Sequence, residues 1–294
     1  SEERLPFEDI IRITKIFADL GINKIRITGG EPLLRVNLTD LIGDLSRING
    51  IDDIALTTNG VLLTKYASEL KAAGLNRVTI SLDTLDKEEF RILTGRRGSL
   101  GRVLAGIKET QIVGFENIKV NAVIKRGSND QHIQQMVEYF RDTPIILRFI
   151  EYMDVGNINH WKISDTVPSE ELLKTINSIW PVEAIDQNYH GEVASRYRFK
   201  DGRGEIGFIS SVTKPFCRSC TRARLSSDGK LYNCLFATSG QDVKSWLRTG
   251  LTDQEIQEKI YEIWSRREDR YSELRTLNQT YLGKKKVEMY YIGG

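Results

Sequence analysis

The fold is decided by the stretch NKIRITGG, residues 23–30. Polar and charged residues alternate with isoleucines from Lys24 to Thr28, which is typical of a β-strand with one apolar and one polar face. Two glycines end the strand, and residues 7–20 before it carry apolar side chains at helical spacing. This succession predicts a helix, a strand and a tight glycine turn.

The same unit recurs through the first half of the chain. The predicted elements after it are helices over 39–48, 64–73, 99–113 and 130–141, and strands over 53–58, 76–82, 117–125 and 145–151. Five strands that alternate with amphipathic helices predict right-handed βαβ units and a parallel sheet.

The pattern changes in the second half. The elements predicted there are a helix over 168–178, antiparallel strands over 192–199 and 204–212, a hairpin over 222–236 that turns at 226–229, and helices over 242–248 and 252–267. We therefore predict two domains, residues 1–163 and 164–294.

Composition narrows the class of protein. The chain has 294 residues and a formal net charge of +2, so the overall balance favours neither nucleic acid nor a membrane surface as a partner. Neither a signal peptide nor an apolar run of membrane-spanning length is visible, and we expect a cytoplasmic protein. The first residue is not methionine and a helical pattern follows at once, so we expect that the sequence starts partway through a longer protein.

Cations lie on the polar faces of the predicted strands. They are Lys24 and Arg26 on the first strand, Lys119 on the fourth and Arg148 on the fifth. An ordinary ion pair would explain any one of them. Several buried cations on one interior face would be costly without compensation, and together with Arg222 and Arg224 they favour a phosphate-bearing ligand.

All three cysteines fall in one window with the spacing C-x2-C-x13-C: Cys217, Cys220 and Cys234. Three interpretations compete. The first is a disulfide with one free thiol, which a reducing compartment disfavours. The second is a structural zinc site completed by a distant His or Asp. The third is a [4Fe-4S] cluster held by three thiolates, with one iron open to another ligand. The remainder of the chain favours the third.

Small polar turns follow the first three predicted strands: GGEP (29–32), TTNG (57–60) and SLD (81–83). With KVN (119–121), RFIEYMD (148–154), FC-x2-CTRAR (216–224), Cys234 and a final Gly-Gly, they resemble the GTP 3′,8-cyclase family of molybdenum cofactor biosynthesis, in the radical S-adenosylmethionine superfamily. The resemblance runs from about residue 7 to the last residue.

The resemblance implies an α/β fold: an incomplete (β/α)6 TIM-type barrel whose open side is covered by a C-terminal α+β domain with an auxiliary cluster. It also implies a lyase. In that family a [4Fe-4S] cluster cleaves S-adenosylmethionine to a 5′-deoxyadenosyl radical, which takes the hydrogen from ribose C3′ of GTP. Attack of C3′ on guanine C8 gives (8S)-3′,8-cyclo-7,8-dihydroguanosine 5′-triphosphate.

By resemblance, each part of the site falls on named residues. The second cluster, which holds guanine at its open iron, is assigned to Cys217, Cys220 and Cys234. S-adenosylmethionine is assigned to Gly30, Glu31, Ser81 and Met153. The GTP site is assigned to Lys24, Arg26, Thr57, Lys119, Arg148, Arg222, Ala223 and Arg224. The terminal Gly293 and Gly294 are expected to reach into the active site.

The family also implies partners. They are the cyclic pyranopterin monophosphate synthase that uses the product, a reductase that donates electrons, and a second copy of the chain in a homodimer.

One departure from the family pattern stands out. The superfamily holds its radical-generating cluster through C-x3-C-x2-C after the first strand, and no cysteine precedes Cys217. We expect a truncated sequence of an ordinary family member, and a protein made from these residues alone should not cleave S-adenosylmethionine. Two alternatives remain: another radical S-adenosylmethionine enzyme with an auxiliary cluster, or a non-enzymatic, zinc-stabilised nucleotide-binding barrel.

Overall fold

The computed structural model describes residues 4–96, 98–189, 191–275 and 286–293. Helices and strands alternate in the first half, as predicted. The strands are β1 (Lys24–Ile27), β2 (Asp53–Thr58), β3 (Arg77–Ser81), β4 (Asn117–Ile124) and β5 (Ile146–Glu151). The helices are α1 (Phe7–Asp19), α2 (Leu38–Ser46), α3 (Leu63–Ala72), α4 (Lys87–Leu93), α5 (Leu100–Ile112) and α6 (Ile133–Phe140). Helix α4 was not predicted, because it is short and buries only Phe90.

Strands β1 to β5 are parallel neighbours in chain order, which confirms the predicted parallel sheet. Thr57 of β2 is in register with Thr79 of β3, and Thr79 with Lys119 of β4. Asn121 of β4 is likewise opposite Arg148 of β5. The polar residues therefore form rows across the sheet, towards the edge where the carboxyl ends of the strands and their loops lie.

The sheet continues into the second half of the chain. Beyond β5 it adds β8 (Glu205–Ile209), β7 (Ser195–Phe199) and β6 (Val182–Ile185), in that spatial order. The strand predicted over 204–212 corresponds to β8. It is antiparallel to β7, as predicted, but it pairs in parallel with β5 on its other side. Its almost complete burial is typical of a parallel strand covered on both faces. The sheet thus takes strands from both sides of the predicted division at 163/164.

A buried carboxylate joins the two halves at the end of β5. Glu151 is fully buried and accepts hydrogen bonds from the backbone nitrogens of Ser169, Val212 and Thr213, each at 2.8 Å. The Thr213 hydroxyl adds a fourth bond at 2.6 Å. Because a buried carboxylate is costly unless its oxygens are hydrogen-bonded, this set fixes the start of the second half against the end of the parallel sheet.

Helix α7 (Ser169–Ile179) packs on the main sheet, with Leu172 and Ile176 in its core. The remaining elements of the second half are β9 (Arg224–Leu225), β10 (Lys230–Tyr232), β11 (Gln241–Asp242), α8 (Val243–Arg248), α9 (Asp253–Ser265), α10 (Tyr271–Leu274) and α11 (Met289–Ile292). The predicted turn at 226–229 is confirmed, and Gly229 takes the positive φ of +89° that such a turn requires. A second apolar core lies between α1, α8 and α9. No helix in the described ranges is both long and apolar enough to cross a bilayer.

Candidate active site

The polar faces of the first three strands meet through Arg26. Its guanidinium donates to the Thr57 hydroxyl at 2.9 Å and to the Thr79 hydroxyl at 3.3 Å. The alternation in the sequence predicted that these faces lie together on one side of the sheet, and the contacts confirm it.

Two further cations of this row are buried. Lys119 is 7% exposed and Arg148 is 8% exposed, and Arg148 Nε donates to Asn121 Oδ1 at 2.9 Å. Burial, together with repulsion from Arg148, lowers the pKa of the Lys119 ammonium to about 8. Burial and repulsion from Arg26 lower the pKa of Arg148 to about 10. In both groups burial and repulsion between the cations outweigh the negative charge that the protein places nearby.

The candidate phosphate-binding cations share one property: none forms an ion pair with a carboxylate in the described part of the chain. They are Lys24, Arg26, Lys119, Arg148, Arg222 and Arg224. By contrast Arg77, which lies close enough to repel Arg26 and Arg148, is paired with Asp53. An unpaired cluster of this kind is an electrostatic site for an anion.

Two residues that the sequence analysis missed complete this cluster. Tyr189 lies under Lys24, with the ammonium 3.8 Å from its ring centroid. Glu192 is 8% exposed, its carboxylate accepts from the Asn188 backbone nitrogen at 2.7 Å, and its charge acts on both Lys119 and Arg148. Both lie in the irregular loop between β6 and β7, where no periodicity or motif singles out a residue.

The cysteine segment lies beside the cations. All three cysteines are free thiols. Burial raises the pKa of Cys220, but the charge of Arg222 and a hydrogen bond with Arg267 outweigh it and bring that pKa to about 7. Burial raises the pKa of Cys234, and the charge of Cys217 adds to this shift. Within the described ranges, no three His, Cys, Asp or Glu side chains converge on the position of a single metal ion.

The two arginines after the cysteines lead back to the sheet. Arg222 stands over the Phe216 ring at 5.3 Å and repels Arg26 of β1. Burial and repulsion from Arg222 lower the pKa of Arg224 to about 10. Arg224 Nη1 is buried without a hydrogen-bond partner in the described residues. Ala223 differs from both, because its side chain packs into the second apolar core.

The end of the chain reaches the same place. The Gly293 carbonyl accepts from Arg224 Nε at 3.2 Å. A Cβ at Gly293 would collide with the Thr28 side chain at the end of β1, so only glycine fits there. Gly294 lies outside the described residues.

The residues assigned to S-adenosylmethionine lie at the carboxyl ends of three strands. No described atom lies within 4 Å of a Cβ built on Gly29 or Gly30, so these glycines leave open space above β1. Glu31 uses both oxygens on neighbouring loops: Oε1 accepts from the Thr58 hydroxyl and Oε2 from the Asn59 nitrogen, both at 2.8 Å. Ser81 is exposed at the end of β3, and Met153 is half-buried after β5.

Comparison with known proteins agrees with this geometry. The model of the Radical SAM superfamily matches residues 1–140, and that of Molybdenum Cofactor Synthesis C matches residues 145–273. The GTP 3′,8-cyclase of Acidothermus cellulolyticus is 48% identical, covering 99% of this chain and 87% of its own. The GTP 3′,8-cyclase of Staphylococcus haemolyticus is also 48% identical, covering 100% of this chain and 86% of its own. The chain therefore belongs to the GTP 3′,8-cyclase family of the radical S-adenosylmethionine superfamily.

Proposed function

We propose that this chain binds GTP and carries it through the 3′,8-cyclisation for which its family is named, the first step of molybdenum cofactor biosynthesis. One observation carries the proposal: six cations without ion pairs in the described chain extend from the sheet, through Arg222 and Arg224, to the segment with three free thiols. A nucleoside triphosphate matches that arrangement, since its phosphates need cations and its base can bind a metal.

The triphosphate belongs on the strand residues. Lys119 and Arg148 are buried and form no ion pair in the described residues, and Arg26 is held in place by Thr57. A polyanion here replaces water with charge-assisted hydrogen bonds and relieves the repulsion among these cations. Lys24 adds its charge from the rim, where the Tyr189 ring restricts its position.

The guanine belongs near the cysteines. Cys217, Cys220 and Cys234 are soft donors suited to an iron–sulfur cluster, and three of them leave one iron of a [4Fe-4S] cluster for a substrate atom. All three thiols are free, so each is available to such a cluster. Arg224 Nη1 has no hydrogen-bond acceptor in the described residues, and the substrate would supply one. Arg222 repels both Arg26 and Arg224, so it lies between the two ends of the site.

S-adenosylmethionine belongs over the open glycines. When bound with the superfamily's cluster it supplies the 5′-deoxyadenosyl radical that takes hydrogen from ribose C3′. Gly30 gives the backbone access, and Glu31 holds the loops after β1 and β2 together next to it. Ser81 and Met153 line the same edge. No cysteine precedes Cys217 in the sequence. The residues that we assign here therefore form the part of the site that binds the substrate.

We assign different ligands to the two parts of the chain. Residues 1–163 hold S-adenosylmethionine and the triphosphate, and residues 164–294 hold the auxiliary cluster. The segment that ends at Gly293 closes the space between them. The partners are an electron-donating reductase, the synthase that takes the cyclised nucleotide, and a second copy of the chain, all in the cytoplasm.

The test is metal content and cluster spectroscopy on anaerobically purified protein. We expect about four irons per chain. The electron paramagnetic resonance signal should change on addition of GTP but not of inorganic tripolyphosphate, since only GTP carries a base for the open iron. Each single Cys→Ala variant should lose iron. The matched control is Ser219→Ala, in the same turn, whose hydroxyl only donates to the Phe216 carbonyl.

Two outcomes would contradict the proposal. About one zinc per chain without iron would favour a zinc-stabilised nucleotide-binding protein. An iron signal that tripolyphosphate changes as much as GTP does would place the phosphates, and not the base, at the cluster.

A further inference from the structure

The last described residues of the chain, 286–293, which we call the tail, are bound to the loop that follows β5. The Lys286 nitrogen donates to Asn157 Oδ1 at 2.9 Å, and Asn157 Nδ2 donates back to the Lys286 carbonyl at 2.6 Å. The Asn157 backbone nitrogen donates to Glu288 Oε1 at 2.8 Å. A Cβ at Gly156, whose φ is +66°, would collide with the Glu288 carboxylate. The loop is therefore shaped to hold the tail.

A buried charge cluster lies beneath this contact. Asp154 is 5% exposed and forms ion pairs with Lys286 at 2.6 Å and with Arg275 at 2.7 Å. The Tyr271 hydroxyl donates to the same carboxylate at 2.5 Å. Burial raises the pKa of Asp154, but the charges of Arg275 and Lys286 outweigh it and leave the pKa below its usual value. The carboxylate is ionised and binds both cations.

The other end of the tail lies in the candidate GTP site. Gly293 is buried, and its carbonyl accepts from Arg224 Nε. Between the two ends, the backbone nitrogens of Tyr291, Ile292 and Gly293 are hydrogen-bonded within the tail, which forms the short helix α11. The tail is also bound along its length, because the Val287 nitrogen donates to the Ala237 carbonyl and the Tyr291 hydroxyl to Asp228. Residue 286 is therefore the first of several contacts that set where residue 293 lies.

We propose that Asp154 is a positioning residue that holds the tail through its ion pair with Lys286. The tail in turn orients Arg224, because the Gly293 carbonyl binds Nε of the guanidinium and leaves Nη1 available to the proposed GTP site. This second step rests on the proposed GTP site. The first step, the anchoring of the tail, does not.

Lys286→Met in the full chain separates this role from general stabilisation. It removes the ammonium but leaves the Asp154–Arg275 pair. Lys286→Arg retains the charge. Lys174→Met is the matched control, because it removes the ammonium of an exposed pair with Glu170. Hydrogen–deuterium exchange of peptides covering the tail reports the anchoring, and equilibrium dialysis with GTP reports the consequence for the site.

We expect the tail amides of Lys286→Met to exchange about a hundredfold faster, since removal of one partner of a buried ion pair frees the other. The Kd for GTP should rise about tenfold, as one oriented charge-assisted contact is lost. Lys286→Arg should stay near the unmodified chain in both measurements, and Lys174→Met should match it.

Unchanged tail exchange in Lys286→Met would overturn the proposal. So would faster tail exchange with an unchanged Kd for GTP, because the tail would then not control Arg224. If the unmodified chain does not bind GTP, the proposed function is wrong. Hydrogen–deuterium exchange of the tail in Lys286→Met then still tests whether the ion pair with Asp154 anchors the tail. If Lys286→Met unfolds, Lys286→Gln gives the same test, since it removes the charge of the ion pair with Asp154 and keeps a polar side chain at that position.

Discussion

Two regions of this molecule bury positive charge in opposite ways. Around Asp154, two cations and a donating tyrosine hydroxyl share one carboxylate. Along the sheet, Lys119 and Arg148 are equally buried, yet neither has an ion pair in the described chain. In the first region each buried cation has a carboxylate within ion-pair distance, although Asp154 Oδ1 and Arg275 Nη2 meet at 2.7 Å without hydrogen-bond geometry. In the second region the described residues supply no such carboxylate. Compensated charge holds the chain together, whereas uncompensated charge is available to an anion.

The largest effect is expected at the compensated cluster. Asp154→Ala leaves Lys286 and Arg275 buried without their carboxylate, so the free energy of unfolding should fall by about 3–5 kcal/mol. Urea unfolding measures it. A loss of less than about 1 kcal/mol, the usual value of a surface pair, would show that the cluster does not hold the fold.

Arg148→Met should weaken GTP binding without lowering stability, unlike Asp154→Ala, which should lower stability. Loss of a buried cation without an ion pair should not lower the free energy of unfolding, but the affinity for GTP should fall by about 10–100-fold, the worth of one hydrogen bond to a charged group. Equilibrium dialysis and urea unfolding on the same preparation check both halves. Arg126→Met, which removes an exposed arginine paired with Glu171, is the control and should leave GTP binding unchanged.

Lys119 should make GTP affinity depend on pH. Its pKa is about 8 in the folded chain, and a bound polyanion favours the protonated form. Above pH 8 the affinity should therefore fall, by at most about tenfold per pH unit. Stability of the free chain should rise between pH 8 and the ordinary lysine value of 10.5, because the unfolded state then binds more protons than the folded state. Lys119→Met should lose the part of each slope that Lys119 contributes, and the titrations of Cys220, Arg148 and Arg224 should remain.

The smallest effect is expected at a pair that is compensated but exposed. Arg126 and Glu171 form a two-pronged ion pair with bonds of 3.0 and 2.7 Å, and both side chains are roughly half exposed. Glu171→Gln should cost only about 0.2–1 kcal/mol by urea unfolding. A loss as large as that of Asp154→Ala would mean that burial does not separate the two kinds of pair.

The parts of the site that follow local patterns could be predicted from the sequence. Alternation with period two placed Arg26, Lys119 and Arg148 on one face of a parallel sheet, and the cysteine spacing marked the second half of the site. These signals are local, since each needs only residues within one strand or turn.

The remaining parts depend on contacts between distant residues. Asp154 meets Lys286 across 132 residues, and in the sequence that lysine belongs to a basic run typical of a solvated surface. Glu192 and Tyr189 lie in a loop without periodicity. Glu31 was predicted to meet S-adenosylmethionine, and its bonds to two loops became visible only in the structure.

The parallel pairing of β5 with β8 has a consequence for synthesis of the chain. As the protein leaves the ribosome, β5 is complete at residue 151, but the strand that covers its free edge ends only at residue 209. Until then β5 presents unpaired backbone groups and an apolar surface, the state in which strands of different chains join. Aggregation of nascent or shortened chains should therefore depend on whether residues 205–209 are present.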